Sequence, residues 1–254
     1  MATEEADEHD ALPEHGQMSL LEHLGELRTR VIICAVAVAL GAIVVFVFFN
    51  PIVGALSGPY EDLTVSAQFP HGKSLIFTDP LEGFLVRLKV ATYGGIVIAL
   101  PVLLWELWRF VTPGLYPKEK RYAIPFVISS VVLFGLGAFV AWLTVPQALS
   151  FLLGVGGDNL EPLLTANKYI SLITLMMLAF GVSFEFPLVL IFLMIAGIIS
   201  TATLRKYRRY AIVGLAVFTA VITPSQDPYS FLFMMVPLYL FYEGAIVVGR
   251  LMKR

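Results

Sequence analysis

Charge is what this sequence is short of. Only 14% of its residues are Asp, Glu, Lys or Arg against 58% hydrophobic ones, and a mean hydropathy of +0.82 is too apolar for a soluble globule of 254 residues. Cysteine is nearly missing: Cys34 stands alone inside an apolar run, which excludes an intrachain disulfide and leaves a small packing residue. No histidine lies in a long apolar run, since His9, His15, His23 and His71 all fall outside them. That argues against an intramembrane metalloprotease or a serine/histidine hydrolase, which need imidazole beside the chemistry. No metal site and no enzymatic activity are therefore expected. Neither GxxxxGK[ST] nor GxGxxG occurs, which argues against an ATP-driven pump; no cofactor is expected. A repeat strong enough for an inverted-repeat transporter is also lacking. The net charge of −2 says little about partners, and no nucleic-acid partner is expected; where the charges sit matters more.

What is there is a series of apolar runs with punctuation between them, which predicts an all-α polytopic membrane protein of six transmembrane helices. Residues 1–17 carry Glu4, Glu5, Asp7, Glu8, Asp10 and Glu14 without a lysine or arginine, and are expected to form a disordered acidic tail ahead of a membrane domain over 18–254. They lack the basic start and apolar core of a cleavable signal and are read as mature sequence. Val31 to Phe49, nineteen uncharged residues, covers the roughly 30 Å hydrocarbon core once. Asn50 to Glu82, broken by Pro51, Gly58, Pro59, Pro70, Gly72 and Pro80, reads as a long structured loop. A second span runs from Gly83 to Phe110, kinked at Pro101 and closed by the aromatic belt Trp105, Trp108 and the charge Arg109.

Tyr122 to Gly157 holds thirty-six uncharged residues, about 54 Å as one helix, so Pro125 and Pro146 are expected to bound a shorter third span with an extension. Tyr169 to Leu204 gives the fourth span, containing Glu185, before the basic run Arg205 to Arg209. Tyr210 to Ile222 and Tyr229 to Tyr242 are thirteen and fourteen uncharged residues, joined by TPSQDP. Two readings of their shortness stand: a locally thinned bilayer, or boundaries displaced by a few residues.

The positive charges set the orientation. Arg28, Arg30, Arg109, Lys118, Lys120, Arg121, the cluster from Arg205 to Arg209, Arg250, Lys253 and Arg254 share the amino-terminal side, against Lys73, Arg87, Lys89 and Lys168 on the other. The positive-inside rule then makes both termini cytoplasmic.

The stretch MSLLEHLGELRTR, Met18 to Arg30, carries the early polar information. Ser19 and Glu22 have capping-box spacing, and Leu20, Leu24, Leu27 and Val31 recur at helical spacing, so an interfacial helix feeds the first span. On spacing alone Glu26 and Arg30 form a weak intrahelical pair of roughly 0.2–0.5 kcal/mol.

HLGELRTR at the mouth of span one resembles the amino-terminal signature of the TatC family, the receptor subunit of the twin-arginine protein translocase. The resemblance extends over nearly the whole chain after residue 17 through FTDPLEGF (Phe77–Phe84), ALPVLLWELWRFVTPGLYPKEKR (Ala99–Arg121), FGVSFEFPL (Phe180–Leu188), and ITPSQD and PLYLFYE near the carboxyl end. It implies a glove-like six-helix bundle in the inner, cytoplasmic membrane. It implies recognition of twin-arginine signal peptides and movement of folded proteins across the membrane, driven by the proton gradient. Partners would be those signal peptides and small single-span subunits, with self-association possible. Glu26 and Glu119 match the family's signal-peptide acids, with Arg28 and Phe110 beside them. A guanidinium offers a planar fork that carboxylates accept bidentately and lysine cannot reproduce. From the residues alone, Glu119 reads as a loop acid neutralising Lys118, Lys120 and Arg121.

Glu185 costs roughly 2.5–3.5 kcal/mol near a helix centre and should face a polar pocket, or else bond a serine or threonine on a neighbouring span. It is also the residue on which a competing reading, a proton-coupled small-solute transporter, would rest. Asp227 and Glu243 match further acids of the family, yet a solvated helix-end acid is the simpler reading of both. Ser230 and Phe231 stand where some relatives carry a glutamine associated with docking of the small subunits.

Overall fold

The computed structural model of the chain describes residues 20–61, 75–111, 123–156 and 164–251. Among these residues the regular structure is helical, apart from one parallel bridge between Ile76 and Thr165. In a bilayer no water satisfies an exposed backbone, and a helix closes its hydrogen bonds within one segment. The long helices are α1 (Leu20–Val47), α3 (Glu82–Val111), α4 (Ala123–Val155) and α9 (Pro228–Leu251). Shorter ones are α2 (Phe49–Glu61), α5 (Ala166–Ser183), α6 (Phe186–Ile195), α7 (Thr201–Lys206) and α8 (Arg208–Ile222). With α5 and α6 taken as one broken crossing, five segments are long and apolar enough to span a membrane. The chain is a multi-pass membrane protein.

Several boundaries differ from the sequence reading. The first third of the expected loop after span one is helix α2, with Pro51 in its first turn, where the missing N–H costs nothing, and Pro59 near its end. The third span is not shortened at Pro146: α4 runs through it for 33 residues, about 50 Å, so Pro125 and Pro146 both lie within one helix. Nor is the last span short. α9 is 24 residues and continues beyond Glu243 to Leu251, because an acid with an ion-pair partner does not end a helix. α8, at 15 residues or about 22 Å, remains short, although Tyr207 joins it to α7 through the bond from Ala211 N to Tyr207 O. The tail 1–17, Ser19 and the loop holding Glu119 lie outside the described residues.

Small residues let the helices meet. A Cβ on Gly41 of α1 would fall 2.7 Å from Gly95 O of α3, and one on Gly95 would fall 2.6 Å from Ala42 N. On the other side of the bundle, Gly137 of α4 backs onto Phe180 O of α5, while Gly181 faces the Phe134 ring. Such contacts replace the hydrophobic drive that is missing between helices in lipid. The interior they enclose holds Val45, Val90, Tyr169, Ile173, Met176, Phe180 and Leu238. Phenol and indole groups tie α2 and α7 to the bundle. Tyr169 Oη donates to Leu56 O at 2.7 Å, Trp142 Nε1 to Ala55 O at 3.2 Å, and Tyr242 Oη to Leu204 O at 2.7 Å. Outward faces stay apolar and exposed, as at Leu40, Ile43, Phe139, Val213 and Leu240.

At the far end of the bundle the FTDPLEGF motif acts as a clasp. Glu82 Oε2 accepts from Thr78 N at 2.7 Å and Thr78 Oγ1 at 3.1 Å, while Oε1 accepts from Asn167 N at 3.0 Å. Ala166 N donates to Ile76 O, so the strand-like approach to α3 is fastened to the start of α5.

Candidate functional site

The amino-terminal ends of α1 and the carboxyl end of α3 bring two acids and two guanidinium groups together. Glu26 and Arg30, one turn apart on α1, form the pair that spacing predicts: Arg30 Nε donates to Glu26 Oε1 at 3.1 Å, and Nη2 reaches the same oxygen. The guanidinium also crosses to α3, where Nη1 donates to Glu106 Oε2 at 2.8 Å. Arg109, one turn beyond Glu106, approaches its other oxygen at 3.8 Å. The pair is thus no isolated surface contact: the side chains of Arg30 and Glu106 are only 13% and 7% exposed. Glu26 Oε2 is buried and has no partner among the described residues.

Glu106 is the member that the sequence reading passed over. It sits in WELWR between Trp105 and Trp108, and the readable signal was an acid one helical turn from both Arg109 and Phe110, inside an apolar helix. Phe110 is half-buried on that face of α3, whereas Arg28 is exposed and enters no ion pair among the described residues. Behind the cluster, Trp108 packs against Phe126 of α4 and Phe192 of α6 with ring centroids 4.7 and 5.8 Å away. These rings fix the end of α3 and with it the Glu106 carboxylate.

Glu185 stands at the joint between α5 and α6, not in a helix interior. Glu185 N donates to Val182 O, and its own carbonyl accepts from Leu188 N and Val189 N. Pro187 follows in the first turn of α6, where a proline suits a helix start. The hydroxyl facing the carboxyl is Ser130 of α4. Yet Glu185 Oε1 and Ser130 Oγ are both buried without a hydrogen-bond partner among the described residues. Buried polar atoms are rarely left so.

The solvated reading of Asp227 is corrected, and Glu243 lies inside α9 as a partly exposed, ion-paired acid. Asp227 is 1% exposed: Oδ1 accepts from Ser230 N at 2.8 Å at the start of α9, and Oδ2 from Ser225 Oγ at 2.5 Å. These bonds hold the turn between α8 and α9, where Gln226 adopts a φ of 49°. Ser230 contributes its backbone here, with its hydroxyl buried. Glu243 accepts from Arg208 Nη2 at 2.5 Å, fastening the start of α8. No group of His, Cys, Asp and Glu among the described residues could hold a metal.

Residues 22–237 match the family described as Sec-independent protein translocase protein (TatC). Among curated relatives, the Sec-independent protein translocase protein TatC of Frankia casuarinae is 44% identical over 95% of this chain and 68% of its own length. That of Aquifex aeolicus is 39% identical over 93% of this chain and 97% of its own. Two crystal structures of the twin arginine translocase receptor TatC, one of them in DDM, are each 38% identical. They align with TM-scores of 0.74 and 0.72, over 90% and 92% of this chain and 99% and 100% of theirs.

Proposed function

The chain belongs to the TatC family, and from that premise we propose how this subunit of a Sec-independent protein translocase captures its cargo: Glu26 and Glu119 receive the arginine pair of a signal peptide. The observation that carries this reading is the seat at Glu26. Its carboxylate is held by Arg30 at the mouth of span one, one oxygen engaged and the other buried without a partner. A carboxylate with an unused oxygen retains capacity to accept a guanidinium. Phe110, half-buried at the end of α3, and the exposed Arg28 of α1 complete the peptide-binding set in this reading.

Both termini face the cytoplasm of the inner membrane in this reading, which the concentration of arginine on the Glu26 side supports. α8 makes a sixth crossing. Because about 22 Å falls short of the roughly 30 Å hydrocarbon core, the bilayer thins beside it. Small single-span subunits pack on the membrane faces of the bundle, and Glu185 meets either the inserted peptide or a partner helix. The subunit performs no covalent chemistry.

The test is crosslinking of a twin-arginine signal peptide to Glu26→Ala and Glu119→Ala variants in membranes. Both should lose capture while still inserting. Capture at the wild-type level by both would place the arginine site elsewhere.

A further inference from the structure

We propose that Arg30 occupies, in the unliganded chain, the seat of one signal-peptide arginine, and that Glu106 is the second wall of that seat. The inference rests on the reading of Glu26 as a peptide contact and extends it.

Arg30 makes the contacts that an incoming arginine would make. Its Nε and Nη2 lie on one oxygen of Glu26, and its Nη1 lies 2.8 Å from Glu106 on the neighbouring helix. The charges then decide what must happen on binding. Glu26 and Glu106 against Arg30 and Arg109 sum to zero, so a further guanidinium group seated between these two acids is not neutralised while Arg30 stays. Arg109 lies 3.8 Å from Glu106 at the edge of the cluster with its side chain 56% exposed, whereas Arg30 fills the space between the acids. Arg30 therefore swings off toward the aqueous face as a peptide arginine takes its place, exchanging one forked ion pair for another of the same kind. Desolvation of the acids is already met by the resident guanidinium, which keeps the seat from collapsing when empty of peptide. Lysine gains less from the exchange, because one ammonium cannot span two carboxylates on different helices as the fork does. The device makes the seat selective by requiring an entrant at least as good as Arg30.

The experiment measures affinity of a fluorescent twin-arginine signal peptide, and of its twin-lysine version, for the full chain in lipid nanodiscs. Removing a resident competitor raises apparent affinity by the reciprocal of the fraction of time the seat is open, about tenfold if that fraction is a tenth. Arg30→Gln should therefore bind the twin-arginine peptide more tightly and discriminate less against twin-lysine. Arg30→Lys, which keeps the charge but not the fork, should fall between wild type and Arg30→Gln, and it supplies the same test if Arg30→Gln does not insert. Glu106→Gln should weaken binding and abolish the gain when combined with Arg30→Gln. Unchanged or weaker binding by the Arg30 variants would overturn the proposal and make Arg30 a strut for Glu26. Wild-type binding by Glu26→Gln would instead remove the underlying assignment of the arginine site.

Discussion

Arg30 and Glu106, 76 positions apart in sequence, meet at 2.8 Å between α1 and α3. The contact fixes the mouth of span one against the exit of span two, and it is buried enough for its loss to be felt. Removing one partner of a buried pair costs about 3–5 kcal/mol, less where water can reach the other. Glu106→Ala is expected to fall at the low end of that range, read as a lowered thermal midpoint in detergent. An unchanged midpoint would mean that the pair is incidental to the bundle.

Close approach of the same two helices depends on Gly95. Valine there would drive its Cβ to within 2.6 Å of Ala42 N, a backbone atom that cannot move aside. Gly95→Val should cost more than the roughly 1–3 kcal/mol of ordinary overpacking. Gly25→Ala, where a Cβ meets nothing within 4 Å, is the control and should be neutral or slightly stabilising. Equal stability of the two variants would contradict the packing described.

For Glu185 the unpartnered Oε1 and the Ser130 hydroxyl predict a site that works through hydrogen bonding. Glu185→Gln should export folded cargo nearly normally and Glu185→Ala should fail, while peptide capture at Glu26 persists in both. Failure of both variants would point to charge or proton exchange; normal export by Glu185→Ala would take the residue out of the mechanism.

Hydrophobic runs made the crossings legible, because a bilayer demands long apolar helices and little else does. What they could not show was that α4 continues through Pro146 and that α9 runs on past Glu243, since neighbouring helices rather than local propensity hold those segments. Acids were harder. The spacing of Glu26 and Arg30 gave the intrahelical pair, but its worth depends on Glu106, which only the packing of α1 on α3 brings near. Asp227 looked solvated because TPSQDP is polar, yet its neighbours Ser225 and Ser230 turn inward to bond it. The FTDPLEGF motif was recognised without its reason, which is the set of donors that close around Glu82.

Orientation is open to direct labelling. In a Cys34→Ala background, Phe77→Cys, 60% exposed beside the far-side clasp, should react with an impermeant maleimide on intact cells. Arg209→Cys should react only after permeabilisation. The opposite pattern would invert the protein in the membrane and remove Glu26 from the cytoplasmic face.

The central claim is that the chain recognises paired guanidinium groups rather than positive charge. Its most direct test is the affinity of the reconstituted wild-type chain for one signal peptide carrying Arg-Arg and for the same peptide carrying Lys-Lys. Binding of the Arg-Arg form at least tenfold tighter, a difference of about 1.4 kcal/mol, is the predicted result. Equal affinity for the two would contradict the account.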